Sequence, residues 1–343
     1  MRMRAEWEKQ RAILLALPHK KSDWKSILSK ARKCFAEIIS HIVLFEEVWV
    51  CADPRDKSAK KFLQQHFSQE IKAGRLRIFE VRYNDTWVRD YGVITLACNE
   101  DKQGKRADTM LLNFGFNGWG LKYAANYDNA LNSELQRLGV FSNLCNQGLI
   151  LEGGSIDCNG AGLLLTNTQC LLQKNRNPHL DKDALDSLLC KILGVKRVLW
   201  LHSGFLRGDD TDSHIDTLAR FIDERTIAYT VCEDSADEHY EALQAMQKEL
   251  RALKDSEGRA FNLLPLPLPK PRFYKKVRKP ASYVNFLFVN SALLVPTYKD
   301  KKNDKRALDT LQNALPHLQV IGVNCVDLIK WNGSLHCATM QIY

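Results

Sequence analysis

Short apolar runs of strand character alternate with amphipathic helices along the entire chain, and this alternation most restricts what it can fold into. Helices recur roughly every 50 to 60 residues, a spacing that predicts a repeated β-α module, although the modules share no visible sequence identity. Ala12 to Leu17 reads as a strand, followed by a helix from Ser22-Asp23 to about His41. In that helix Trp24, Ile27, Leu28, Ala31, Phe35, Ile38, Ile39 and Ile42 recur at three- and four-residue steps, which predicts one buried stripe. Glu47 to Ala52 and Leu76 to Val81 read as strands around a helix near Asp56 to Phe67. Val93 to Ala97 and Met110 to Phe114 read as a strand pair joined by the polar loop Asn99 to Asp108. Further helices are expected near Tyr127 to Leu138, Lys182 to Leu193, Glu238 to Leu253 and Asp304 to Leu315. Strands are expected at Val198 to Leu201, Ile227 to Val231, Val284 to Val289 and Leu293 to Val295. No linker-like shift in composition divides the chain, so residues 1–343 are expected to form a single α/β domain.

Composition narrows the function classes. The start of the chain, Met1-Arg2-Met3-Arg4-Ala5-Glu6-Trp7, has no apolar segment of signal-peptide type, and no apolar run approaches a membrane span. A cytoplasmic protein without a membrane partner is expected. The ten cysteines include no Cys-x-x-Cys pair, which argues against a structural zinc site, and most of them sit in strand-like runs where the thiol acts as a small core group. The net charge of +9 would permit nucleic-acid binding. Its excess lies between Lys270 and Lys279 and between Lys299 and Arg306, the first run being broken by prolines as in an exposed loop. Base-stacking aromatics are not regularly interleaved with either run, so both are read as solvated surface and no nucleic-acid partner is expected.

Four segments carry chemistry. Cys337 lies in Gly333-Ser334-Leu335-His336-Cys337, after a glycine turn and beside polar Asn332 and His336. Sulfur attacks as thiolate, and an ordinary thiol, with a pKa of about 8.5, is only slightly ionised at neutral pH, so a partner is required. His214 is the candidate, within Gly208-Asp209-Asp210-Thr211-Asp212-Ser213-His214-Ile215-Asp216. If that segment is extended, Asp212, His214 and Asp216 share one side. The same three side chains offer a rival reading as ligands of a metal-dependent hydrolase; a calcium loop of EF-hand type lacks its glycine.

Asp85-Thr86-Trp87-Val88-Arg89-Asp90 supplies carboxylates, an indole and a guanidinium. Either Arg89 pairs with a neighbouring acid as plain structure, or Asp90 and Trp87 form a cation site, since planar guanidinium groups suit carboxylate oxygens and aromatic faces. Leu151-Glu152-Gly153-Gly154-Ser155 reads as a strand ending at a tight turn. Asn113 to Tyr123, rich in glycine and aromatics and containing Trp119, reads as a loop that shapes a pocket, and Asn167 to Leu180 as a polar patch.

Taken in order, these segments resemble the agmatine deiminase family of the guanidino-group-modifying superfamily, over nearly the whole chain from Glu6-Trp7-Glu8 onward. The resemblance implies a five-bladed, pseudo-symmetric α/β propeller of ββαβ-type modules with its site on the central axis. It implies Cys337 as nucleophile, His214 as general acid and base, Glu152 as the carboxylate near His214 and the substrate, and Asp90 and Asp216 as the guanidinium clamp. No metal or organic cofactor is implied. The expected partner is a small cationic guanidino substrate, and a homodimer is compatible with the family. The implied reaction converts agmatine to N-carbamoylputrescine and ammonia through a covalent amidino-cysteine, within putrescine and polyamine biosynthesis. This chain departs from the family in having Trp331-Asn332-Gly333-Ser334-Leu335 where many relatives carry a glycine run and an Asn before His-Cys. An arginine or peptidylarginine substrate remains the alternative. Arginine would need a cation such as Arg89, Arg176 or Arg220 for its carboxylate, whereas agmatine would need Asp85, Asp210, Trp87 or Trp119 at its far end.

Overall fold

The computed structural model describes residues 1–98 and 109–343, so the expected loop Asn99 to Asp108 lies outside the described residues. Within them the fold is mixed α/β, and its sheets repeat one pattern. An antiparallel strand pair is followed by a crossover helix and a third strand parallel to the second.

In the first repeat Ile94–Ala97 pairs antiparallel with Thr109–Gly115, which runs parallel to Leu144–Ile150 after the helix Leu131–Arg137. Ile156–Cys158, Leu163–Asn167 and Arg197–Leu201 form the second around Lys182–Leu193. Ala219–Phe221, Thr226–Val231 and Asn262–Pro267 form the third around Tyr240–Ala252. Leu287–Val289, Ala292–Thr297 and Gln319–Asn324 form the fourth around Lys301–Ala314. The fifth joins the two ends of the chain: Thr339–Ile342 pairs antiparallel with Ala12–Ala16, which is parallel to Glu47–Ala52 beyond Leu28–Ile42.

Local chemistry explains these elements. Ala12–Ala16 is buried at every position, which suits a strand covered on both faces. Asp181 caps Lys182–Leu193 by accepting from the Ala184 N–H, and Gly194 ends that helix in the left-handed region. The helix expected from Ser22 begins as a 3-10 segment, Asp23–Ile27, because the Ser22 hydroxyl bonds back to His19 and caps nothing. The helix expected from Tyr127 starts only at Leu131, since the Tyr127 and Asp128 N–H groups are taken by the Asn84 side chain. The strand expected from Val284 starts at Leu287 because Asn285 closes a turn onto Ser282 and points inward.

The run Lys270 to Lys279 is largely exposed, as expected, and forms a β-hairpin, Arg272–Tyr274 with Val277–Lys279. Arg278 fixes it to Asp237 at 2.6 Å. Among the described residues no helix is long and apolar enough to cross a membrane.

Candidate active site

The repeats bring one segment each to a common centre, always immediately before the first strand. Asp90 precedes Ile94–Ala97, Glu152 and Gly154 precede Ile156–Cys158, and Asp216 precedes Ala219–Phe221. Asn285 precedes Leu287–Val289, and Cys337 precedes Thr339–Ile342. Residues nearly 250 positions apart therefore meet.

A cavity of about 220 Å³ opens at this centre and is lined by Cys337, His214, Asp90, Asp216, Asp85, Asp210, Trp87 and Trp119, among others. Glu152 lies behind His214, fully buried, and does not reach the lining. Its Oε2 is 3.3 Å from His214 Nε2, and Arg176 Nε donates to both of its oxygens at 2.9 and 2.8 Å. Burial would raise the Glu152 pKa, but the bonds to His214 and Arg176 outweigh it and hold the carboxyl below its ordinary value. Arg176 comes from the polar stretch 167–180, which therefore exists to support the centre.

His214 is 2% exposed and lies between Glu152 and Asp90, whose Oδ1 is 3.5 Å from Nδ1. Burial opposes its charge, but Asp90, Cys170 and Glu152 prevail and hold the imidazole well above the usual histidine pKa. Asp90 also accepts from the Gly154 N–H at 3.0 Å and from Trp119 Nε1 at 2.9 Å. Burial, reinforced by Asp216 and Glu152, pushes its carboxyl up to about 6. Gly154 has to be glycine here, because a Cβ would sit 2.6 Å from His214 Nδ1 and 2.7 Å from Asp90 Oδ1.

Asp216 turns Oδ2 to His336 Nδ1 at 2.8 Å and to Cys337 Sγ at 3.6 Å, while Oδ1 is buried with no protein partner. Asn285 Nδ2 lies 3.3 Å from the sulfur. Burial first, then Asp216 and Asp90, push the thiol well above its ordinary pKa. Gly333 packs under the Trp87 ring with no room for a side chain, and Asn332 before it adopts φ +72°. These two residues keep the turn ahead of Cys337 despite the missing glycine run.

Two expectations fail. The segment before His214 is not extended: Asp212 and Ser213 have φ of +68° and +69°, and Ile215–Thr217 is a 3-10 turn. Asp212 consequently leaves the other two and pairs with Lys122 at 2.8 Å and Arg176 at 2.7 Å. The metal set Asp212, His214 and Asp216 is therefore not assembled. Among the described residues Glu152, Cys170 and His214 come close enough to share an ion, but the Arg176 guanidinium already occupies Glu152.

The three arginines considered for a substrate carboxylate are all engaged elsewhere. Arg89 pairs with Glu6 at 3.1 Å, Arg176 with Glu152 and Asp212, and Arg220 with Glu6 and Asp157. Six aspartates line the cavity (Asp23, Asp85, Asp90, Asp209, Asp210 and Asp216), against one lysine, Lys279, and no arginine among the described residues. Asp85 accepts from Trp24 Nε1 at 3.0 Å, and burial pushes it up to about 6. Asp210 accepts from Tyr123 and Asn332, both at 2.7 Å.

Residues 2–342 match the family model described as Porphyromonas-type peptidyl-arginine deiminase. The chain belongs to this family. An agmatine deiminase of Medicago truncatula is 30% identical over 369 aligned residues, covering 99% of this chain and 95% of the relative. A C. jejuni agmatine deiminase, solved as a cysteine-to-serine variant with substrate bound, superposes with a TM-score of 0.89 at 41% identity, covering 100% of this chain and 96% of that one. A crystal structure described provisionally as a peptidyl-arginine deiminase reaches 0.93 at 49% identity, covering 100% and 98%.

Proposed function

We propose that this chain is an agmatine deiminase, a hydrolase of amidine C–N bonds whose product, N-carbamoylputrescine, feeds putrescine and polyamine synthesis. One observation carries the reading: the Cys337 sulfur faces a cavity whose acids, Asp216 and Asp90 among them, outnumber its bases. A flat cation pairs with Asp216, and Asp90 is the second arm of the clamp. The absence of an arginine from the described lining favours a substrate ending in an amine over one ending in a carboxylate.

The chemistry follows from the charges. In the empty site the thiol is neutral, because burial and two carboxylates oppose the thiolate. A bound guanidinium reverses that field, and the thiol proton leaves to solvent. The thiolate then attacks the guanidinium carbon, forming a C–S bond. His214, carried as imidazolium, protonates the departing nitrogen, and the C–N bond breaks to release ammonia. Water attacks the S-alkylthiouronium while His214 takes one of its protons, the C–S bond breaks to return thiolate, and the remaining hydroxyl proton passes to solvent as the urea forms. Glu152, anchored by Arg176, keeps His214 oriented and charged and acts through it.

Mass spectrometry of enzyme quenched during turnover tests the reading by seeking an amidino adduct on the peptide bearing Cys337. An adduct elsewhere, or none on Cys337 in wild-type enzyme acid-quenched at steady state, would overturn it.

We further infer that the five repeats are blades of an α/β propeller, closed where Thr339–Ile342 meets Ala12–Ala16. The common position of Asp90, Glu152, Asp216, Asn285 and Cys337 ahead of each first strand supports that geometry. A homodimer and a cytoplasmic setting are proposed on family grounds, with sedimentation and cell fractionation as their tests.

A further inference from the structure

Behind Asp216 two side chains form a line that the proposed chemistry leaves unused. Asp216 Oδ2 accepts from His336 Nδ1 at 2.8 Å, and His336 Nε2 lies 2.7 Å from Glu6 Oε1. His336 and Asp216 are each 1% exposed and the Glu6 side chain 15%. Glu6 is in turn held by Arg89 at 3.1 Å, by Arg220, and by Gln341 Nε2 at 2.9 Å. It belongs to the first few residues of the chain, far from every motif, yet it connects elements of several repeats.

We infer that Glu6 and His336 are positioning residues for the substrate clamp, fixing the orientation of the Asp216 carboxylate at the cavity wall. A buried carboxylate with one oxygen unpartnered would rotate or take a proton unless the other oxygen were tied. His336 Nδ1–H ties it, and the Glu6 carboxylate, 2.7 Å from Nε2, bounds the far side of the ring. The same arrangement, an acid orienting an imidazole through its second nitrogen, holds catalytic and metal-bound histidines elsewhere. Here it terminates on a binding carboxylate. Without the tether Oδ1 and Oδ2 would both be free to turn toward Cys337 Sγ, now 3.6 Å from Oδ2.

Charge bears on the ring from both sides. The groups facing His336 are Glu6 from the N-terminal segment, Arg89 from Val88–Tyr91, Asp216 from Ile215–Thr217 and Arg220 from Ala219–Phe221. Asn285 Oδ1 accepts the His336 backbone N–H at 2.9 Å. Burial and the two arginines push the imidazolium down, against Glu6 and Asp216. Burial also raises Asp216, but His336, His214 and Arg220 outweigh it and keep the carboxyl below its ordinary value. Removing His336 takes away the largest of those supports.

The proposal rests on the deiminase reading for its substrate, and the test separates the two. Agmatine kinetics are measured from pH 5 to 9 for wild type, His336→Asn and Glu6→Gln. For His336→Asn the expected result is a KM at least tenfold higher across the pH range with a kcat within threefold. Glu6→Gln, which preserves the shape but removes a charge, should raise KM by less. An unchanged KM in folded His336→Asn, or a loss confined to kcat, overturns the proposal. A second arm uses only wild-type protein: ¹⁵N-histidine NMR should find Nδ1 of His336 protonated at pH 7, and a bare Nδ1 refutes the tether whether or not the variants fold. Wild type that releases no ammonia from agmatine would sink the deiminase reading, and the NMR arm would still judge the tether.

Discussion

Asn285 holds its carboxamide against the Cys337 thiol, with Nδ2 3.3 Å from Sγ and Oδ1 accepting the His336 backbone N–H at 2.9 Å. With the Ser334 backbone, it favours the thiolate while the neighbouring acids oppose it. Replacing Asn285 with Asp exchanges that donor for another negative charge. A hydrogen bond to a charged group contributes about 1.5–3 kcal/mol, so kcat should fall roughly ten- to hundredfold. The pH at which iodoacetamide alkylates Cys337, followed on its own peptide, should rise. An unchanged alkylation profile would show that Asn285 only spaces the loop.

Asn285 was not legible in the sequence, and the reason is physical. Ser282-Tyr283-Val284-Asn285-Phe286 reads as the start of an apolar strand, and only its place before the first strand of the fourth repeat aims it inward. That place is set by long-range pairing, which periodicity does not record. Comparing what precedes each expected strand would have been the available signal. Glu6 and Arg176 were missed as parts of the centre for a related reason, since each acts through one partner, His336 or Glu152. By contrast Cys337, His214, Asp90 and Asp216 stood out in the sequence as candidates, with roles implied by the family resemblance, and the fold brings all four to one cavity. The helix Lys182–Leu193 was readable to the residue because Asp181 and Gly194 punctuate it. Asp212 was misplaced because left-handed backbone at a non-glycine residue is invisible to an alternation argument.

Activity should fall on acidification earlier than an ordinary aspartate would allow. Burial, with Asp216 and Glu152 nearby, raises Asp90 to about 6 in the empty enzyme. A raised carboxyl pKa keeps the neutral, non-binding form up to higher pH, so kcat/KM for agmatine should decline as pH drops through about 6. Bound guanidinium stabilises the carboxylate, so the acid limb of kcat should lie at lower pH than that of kcat/KM. A kcat/KM that stays level between pH 5 and 7 would remove Asp90 from the clamp.

Trp119 is positioned to orient Asp90 rather than to stack on the substrate, since its Nε1 donates to Oδ2 at 2.9 Å. Trp119→Phe keeps an aromatic wall and deletes the donor. With about 1.5–3 kcal/mol at stake, KM for agmatine should rise roughly ten- to hundredfold while kcat changes little. Isothermal titration with a non-reactive guanidinium compound reads the same loss directly. A variant with normal affinity would leave Asp90 held by Gly154 alone.

Lys279 is the remaining determinant of substrate choice. Its Nζ donates to Asn332 Oδ1 at 2.7 Å, and Asn332 Nδ2 donates to Asp210 Oδ2 at 2.7 Å, so a lysine and an aspartate share one amide at the cavity wall. Burial lowers the Lys279 pKa, and Asp210 works against that shift. An amine-terminated substrate gains from Asp210 and loses from Lys279, whereas an α-carboxylate does the reverse. Lys279→Met should therefore raise kcat/KM for agmatine severalfold and lower it for arginine, widening the ratio between them by about tenfold, or roughly 1.4 kcal/mol. Steady-state assays of both substrates on both proteins decide it. If the ratio does not move, Lys279 only braces Asn332, and discrimination rests on the acids alone.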